Sequence, residues 1–181
     1  MIYVIIGIVV LLILYLIGIY NSLVKLRNKV DDQSSQVDIE LKKRFDLVPN
    51  LVETVKGYVK HEKETLESVI NARNSFNNAG NMNEELAAND NLSNALTKLF
   101  ALSESYPDLK ANENFINLQN SLNEIEENIA YKRSFYNETV RLYNDKVMTV
   151  PSNIVANIFN FKEREYFQIN ESERKNVKVS F

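Results

Sequence analysis

The sequence predicts an all-α protein: one N-terminal transmembrane helix that continues into an antiparallel four-helix bundle, followed by a C-terminal aromatic tail. Three observations predict it. The first twenty residues carry no charge. Beyond them, apolar residues recur three and four positions apart, the spacing of one face of a helix. And 4 glycines and 3 prolines in 181 residues leave little material for the tight turns of a β fold. The predicted partition is an anchor over 1–22, a helical bundle over 23–161 and a tail over 162–181.

The anchor reads MIYVIIGIVVLLILYLIGIY. At about 1.5 Å per residue, roughly 20 apolar residues cross a hydrocarbon core of about 30 Å. A cleaved signal peptide would carry a basic stretch before a shorter apolar core, and a small-residue cleavage site. Nothing basic precedes this run, and Ile19-Tyr20-Asn21 is no such site. Lys25, Arg27 and Lys29 follow it, with Lys42, Lys43 and Arg44 beyond. The positive-inside rule then places the N-terminus outside and the body in the cytoplasm.

The body reads as helix after helix. Leu23, Leu26, Val30, Val37, Leu41 and Phe45 mark one face, and nothing after Tyr20 interrupts the anchor, so anchor and first bundle helix are expected as one rod. Asp46 followed by Pro49 reads as a fresh helix start, with Asp46 as cap and Pro49 in the first turn. That second helix runs to about Phe76 and stops in Asn77–Asn81, around Gly80. A third, about Asn83 to Tyr106, carries Leu92, Leu96 and Leu99 and halts at Pro107. The fourth starts at an Asn112 cap. Its seam is Phe115, Leu118, Leu122, Ile125, Ile129, Lys132, Tyr136, Val140, Tyr143 and Val147, the three-four alternation of coiled-coil-like packing. It ends before Val150-Pro151.

Composition excludes much chemistry. There is no cysteine, hence no disulfide, thiolate metal site or cysteine nucleophile, and one histidine cannot build a multi-histidine metal site. The net charge of -3 offers no basic field to nucleic acid. His61-Glu62 opens like HExxH but lacks the second histidine. The acidic pairs Asp31-Asp32, Glu84-Glu85 and Glu126-Glu127 read as solvated helix faces, with Glu84-Glu85 at a favourable helix start. On that reading Glu126→Ala is neutral while Leu122→Ala is not. Lys132, in the seam, snorkels or pairs with an acidic partner on a neighbouring helix. The tail aromatics Phe159, Phe161, Tyr166, Phe167 and Phe181 pack either on their own bundle or on a neighbouring subunit. Val177, Val179 and Phe181 alternate as a short strand would. No catalytic, cofactor-binding or metal-binding residue is assigned.

Several blocks are similar to one known family. They are Asn21–Val30 (NSLVKLRNKV), Val37–Tyr58 (VDIELKKRFDLVPNLVETVKGY), His61-Glu62, and Tyr106–Asn112 (YPDLKAN) with Phe115, Leu118 and Gln119. Tyr136-Asn137, Tyr143-Asn144, Pro151 and Tyr166-Phe167 extend the likeness along nearly the whole chain. Together they resemble the bacterial LemA family. The chain departs from the usual pattern in lacking a tryptophan near Gln33-Ser34. The resemblance implies a membrane helix with a cytoplasmic helical bundle; it does not imply an enzyme. The expected function is a non-enzymatic, membrane-anchored scaffold or adaptor of the cell envelope, in the inner or cytoplasmic membrane, which self-associates. The alternative is a regulatory or signalling subunit of a membrane protein such as an envelope protease. The expected partners are the lipid bilayer, further copies of the chain and an envelope membrane protein, without cofactor or nucleic acid.

Overall fold

The computed structural model describes residues 1–59 and 62–167. Among the described residues the chain is all-α, with no strand. The helices are α1 (Ile2–Lys56), α2 (Lys63–Asn77), α3 (Met82–Ser103), α4 (Pro107–Lys110), α5 (Glu113–Met148) and α6 (Ser152–Ile158). His61, of the incomplete HExxH-like stretch, and the alternating Val177, Val179 and Phe181 lie outside the described residues.

α1 is uninterrupted from the apolar run into the body, as expected. It also corrects one reading: the helix does not restart at Asp46 but passes through Pro49 and ends at Lys56. An interior proline costs a helix about 3 kcal/mol. Around it Phe45, Val48, Leu51, Val52 and Val55 are all buried. Burial of each such side chain stabilises by about 1.5–3 kcal/mol, so packing on both sides outweighs the missing hydrogen bond. Asp46 caps nothing; it lies 3.8 Å from exposed Lys42, one turn back. The chain turns instead at Gly57-Tyr58, where the amides of Tyr58 and Val59 both donate to the carbonyl of Val55.

The chain divides into two compact units, residues 35–132 and residues 1–34 with the described residues from Arg133 onward. The first is an antiparallel four-helix bundle whose directions follow from its side-chain pairs. As α1 numbers rise, their α5 partners fall: Gln36 with Lys132, then Tyr58 with Asn112. Between α1 and α3 both rise, Asp38 meeting Glu85 and Arg44 meeting Asn89. Phe45 of α1 stacks on Phe76 of α2 with centroids 4.0 Å apart, and Phe100 of α3 meets Phe115 of α5 edge-on. Caps hold the connections. Asn81 accepts from the Glu84 amide, while the Glu84 carboxylate accepts from Gly80, a capping box shifted by one residue. Asn112 accepts from the Phe115 amide, the cap the sequence predicts.

The second unit contains the start of α1, the end of α5, and α6. The α5 seam is buried here as well, at Tyr136, Val140 and Tyr143. α6 closes with its final amides bonded backwards, Phe161 N–H to Ala156 and Asn160 N–H to Asn157, and with Asn160 at φ 56°. That pair of bonds around a left-handed asparagine is a Schellman motif, which turns the chain sharply. Phe161 is thereby returned to the core.

Candidate functional site

Two polar clusters stand out, one in each unit. In the bundle, Arg44 is almost fully buried, with 3% of its surface exposed. Its Nη1 donates to Asn89 Oδ1 at 2.5 Å and to Ser93 Oγ at 2.9 Å, and pairs with the Glu126 carboxylate. Ser93 Oγ donates to the other Glu126 oxygen at 2.9 Å, so serine and arginine share one carboxylate. Burial lowers the Arg44 pKa, and Glu126 and Asp90 oppose that shift; a guanidinium stays charged regardless. Glu126, half-exposed, is therefore not a plain surface charge but the counter-charge of a buried arginine. Removing it leaves that charge unpaired in the core, which is strongly unfavourable. The other two residues of the basic triplet behave as surface residues: Lys42 faces Asp46, and Lys43 donates to Glu40 at 2.9 Å.

Lys132 has a partner, but an amide rather than an acid: its Nζ donates to Gln36 Oε1 at 2.6 Å. Asp38 and Glu85 form an unanticipated carboxyl pair between α1 and α3. Burial raises both pKa values; the Asp38 charge and the hydrogen bond between the two raise Glu85 further, while that bond moderates the rise at Asp38.

In the other unit the segment after α6 is extended and strapped along α5. Asn144 clasps the backbone of Arg164, its Nδ2 donating to the carbonyl at 2.8 Å and its Oδ1 accepting from the amide at 2.9 Å. Asn137 clasps Phe167 in the same way, at 3.1 and 2.8 Å. The spacing explains the match. Seven helical residues rise about 10.5 Å, and three extended residues cover about 10 Å. Tyr136 Oη donates to the Glu165 carbonyl between the clasps, and its ring stacks on Phe167 with centroids 4.0 Å apart. Burial holds the phenols of Tyr136 and Tyr143 above their usual pKa, so Tyr136 remains a neutral donor. Arg164 reaches Asp31 of α1 at 2.8 Å. Phe161 and Phe167 thus pack on their own chain, whereas Phe159 and Tyr166 are exposed and Phe181 lies outside the described residues.

Two shallow grooves cross the bundle surface. One of about 400 Å³ is lined by Asn50, Thr54, Asn114, Asn117, Leu118 and Ser121. The other, about 420 Å³, lies among α2 and α3 residues of which only Lys98 is ionisable. Neither brings an acid, a base and a nucleophile together. Among the described residues, no three His, Asp or Glu side chains are placed to hold a metal ion.

The profile of the LemA family matches residues 33–181, which takes in the Arg44 cluster and both asparagine clasps. The chain belongs to the LemA family. It is 27% identical over 168 residues to the protein LemA of Metamycoplasma hominis, a match covering 91% of this chain and 75% of that one. Shorter matches reach magnetosome proteins. MamQ 2 of Paramagnetospirillum magneticum is 37% identical over 83 residues, covering 46% of this chain and 30% of that protein. MamQ of Magnetospirillum gryphiswaldense is 34% identical over 82 residues, covering 45% and 30%. Tyr136, Asn137 and Asn144 of this LemA-family chain acquire a physical role: they hold the strap that follows α6, beside buried Tyr143.

Two outcomes follow. Asn144→Ala removes both side-chain partners of the Arg164 backbone, two hydrogen bonds worth together about 1–3 kcal/mol. Amide hydrogen exchange at Arg164 should accelerate well before exchange in the bundle does; unchanged protection at that amide would contradict the clasp. Glu85→Gln tests the carboxyl pair. Because both folded-state pKa values are raised, the native protein holds protons that the unfolded chain has released, so stability is largest on the acid side and falls as pH rises through the raised values. Glu85→Gln should therefore raise the melting temperature at about pH 7 and flatten its decline above about pH 4. A variant with the native pH slope would contradict this.

Proposed function

We propose that this chain is a non-enzymatic, membrane-anchored helical scaffold of the bacterial cell envelope. One observation carries the reading: the α1 residues from Ile2 to Gly18 are exposed and uncharged, and packing against the rest of the protein begins at Ile19. α1 is long and apolar enough to cross a membrane, and only 6% of its most apolar window is buried. The core helix of a soluble protein would bury such a surface. The apolar run is satisfied by hydrocarbon, and the folded body supplies helix faces and polar grooves on a continuous helical mount.

The basic residues after Tyr20 support an N-terminus outside and a body in the cytoplasm, in the inner or cytoplasmic membrane. Anchoring confines the bundles to two dimensions and raises their effective concentration, which favours self-association. Of the described tail residues, Phe167 packs on its own chain while Tyr166 is exposed. The grooves, lined mainly by asparagine, serine and threonine, suit hydrogen bonding to a partner rather than bond breaking.

Topology is the direct test. The native chain has no cysteine. A single cysteine replacing exposed Ser121 should resist a membrane-impermeant thiol reagent in intact cells, react after lysis, and stay with membranes through alkaline extraction. Labelling in intact cells would reverse the orientation, and release by alkali would remove the anchor.

A further inference from the structure

α6 packs by one side only. Ser152, Val155 and Ala156, three and four residues apart, are buried. Ile154 and Ile158, also four apart, lie on another face and are 55% and 71% exposed. Val150 before the helix and Phe159 after it are exposed too, at 77% and 58%. A helix face turned to water carries polar residues at such positions, so this stretch presents a concentrated apolar surface.

Its place in the fold identifies what covers that surface. The Phe159 ring lies 4.7 Å from the ring of Tyr20, and Phe161 lies 5.7 Å from it. Tyr20 is the last residue before the polar Asn21-Ser22 that ends the apolar run, and Ile19 is the first buried residue of α1. The unpacked stretch before them rises about 27 Å, close to the thickness of a hydrocarbon core. Tyr20 therefore stands at the depth of the bilayer interface, where tyrosine rings concentrate. Phe159, in contact with it, stands at the same depth. Basic side chains flank the patch: Lys25 and Lys29 are exposed one to three turns beyond Tyr20, Arg27 lies 5.3 Å from the Phe161 ring centre, and exposed Lys162 follows Phe161. Apolar side chains rimmed by lysine and arginine match the acyl boundary and phosphates of one leaflet.

We propose that the segment from Val150 to Phe159 is a second membrane contact, in which α6 lies on the bilayer surface with Ile154, Ile158 and Phe159 in the headgroup–acyl boundary of the leaflet where the span ends. The proposal rests on the reading of α1 as a membrane anchor. Two contacts fix more than one: a lone span leaves the body free to tilt and rotate about its axis, and a lateral helix seated beside it restrains both motions.

The chain contains no tryptophan, so one introduced indole reports alone. Full-length Leu12→Trp, Ile158→Trp and Glu138→Trp proteins are reconstituted into vesicles of mixed zwitterionic and anionic lipid, with bromine placed shallow or deep along the acyl chains. Leu12→Trp reports the span. Glu138→Trp, exposed on α5 and about 15 Å of helix before Met148, is the control. Ile158→Trp should emit at shorter wavelength than Glu138→Trp and lose at least half its intensity to shallow bromine, with less loss to deep bromine. Glu138→Trp should lose almost none. A long-wavelength, unquenched Ile158→Trp beside a quenched Leu12→Trp would overturn the second contact and leave the anchor intact. A short-wavelength but unquenched Ile158→Trp would mean that protein, such as a second copy, covers the patch, which also overturns it. An unquenched Leu12→Trp would remove the anchor itself and this proposal with it.

Discussion

One helix meets two surroundings, and the rest of the structure follows from where they change. Up to Gly18 no α1 side chain is buried by the protein; from Ile19 onward one face is. On the proposed reading that the exposed run spans a bilayer, its backbone must satisfy its own hydrogen bonds there, which a helix does. The same continuous helix then enters the body, where only an apolar stripe can be buried. Leu23, Val30, Val37, Leu41 and Val48 form that stripe, each fully or almost fully buried. α5 provides the long complementary seam, and the shorter helices complete the packing.

Buried polarity then distinguishes the correct packing from near alternatives. In the bundle the Arg44 pair needs α1, α3 and α5 in one register, because Asn89, Ser93 and Glu126 must all reach one guanidinium. A slip by one turn would strand a charge in the core, a far larger penalty than a misplaced leucine. In the second unit two asparagines specify where the strap lies to within a residue, since a one-residue shift would break all four clasp bonds. Hydrophobic contacts supply most of the stability, and these polar contacts penalise shifted registers.

Much of this was legible from residue spacing alone. The α5 seam is buried or half-buried at every position named from its three-four alternation. The apolar run, the Asn112 cap and the continuity of α1 past Tyr20 were legible for the same local reasons. Pro49 misled because its cost is local while the compensation, packing of Phe45 through Val55, is tertiary. Arg44 was overlooked although its signal was present: Val37, Leu41, Arg44, Val48, Leu51 and Val55 alternate by four and three, so the arginine occupies a seam position inside a triplet that looks like surface charge. Glu126 stands four after Leu122 and three before Ile129, again within the seam. The clasps were not legible at all. Asn137 and Asn144 recognise backbone, so no residue type at positions 164 and 167 betrays them.

The central claim, that α1 leaves hydrocarbon at Ile19–Tyr20 and enters protein there, is tested most directly by spin labels at single cysteines along residues 2–30 of the full chain in vesicles. Collision with oxygen should be high across the run, peak near Val9-Val10 and be nearly independent of helix face. At Ile19–Tyr20 it should give way to a three-to-four-residue periodicity, with collisions with a water-soluble nickel chelate rising on the exposed face. Periodicity or nickel access within residues 5–15 would contradict the claim, because it would place protein or water where hydrocarbon is required.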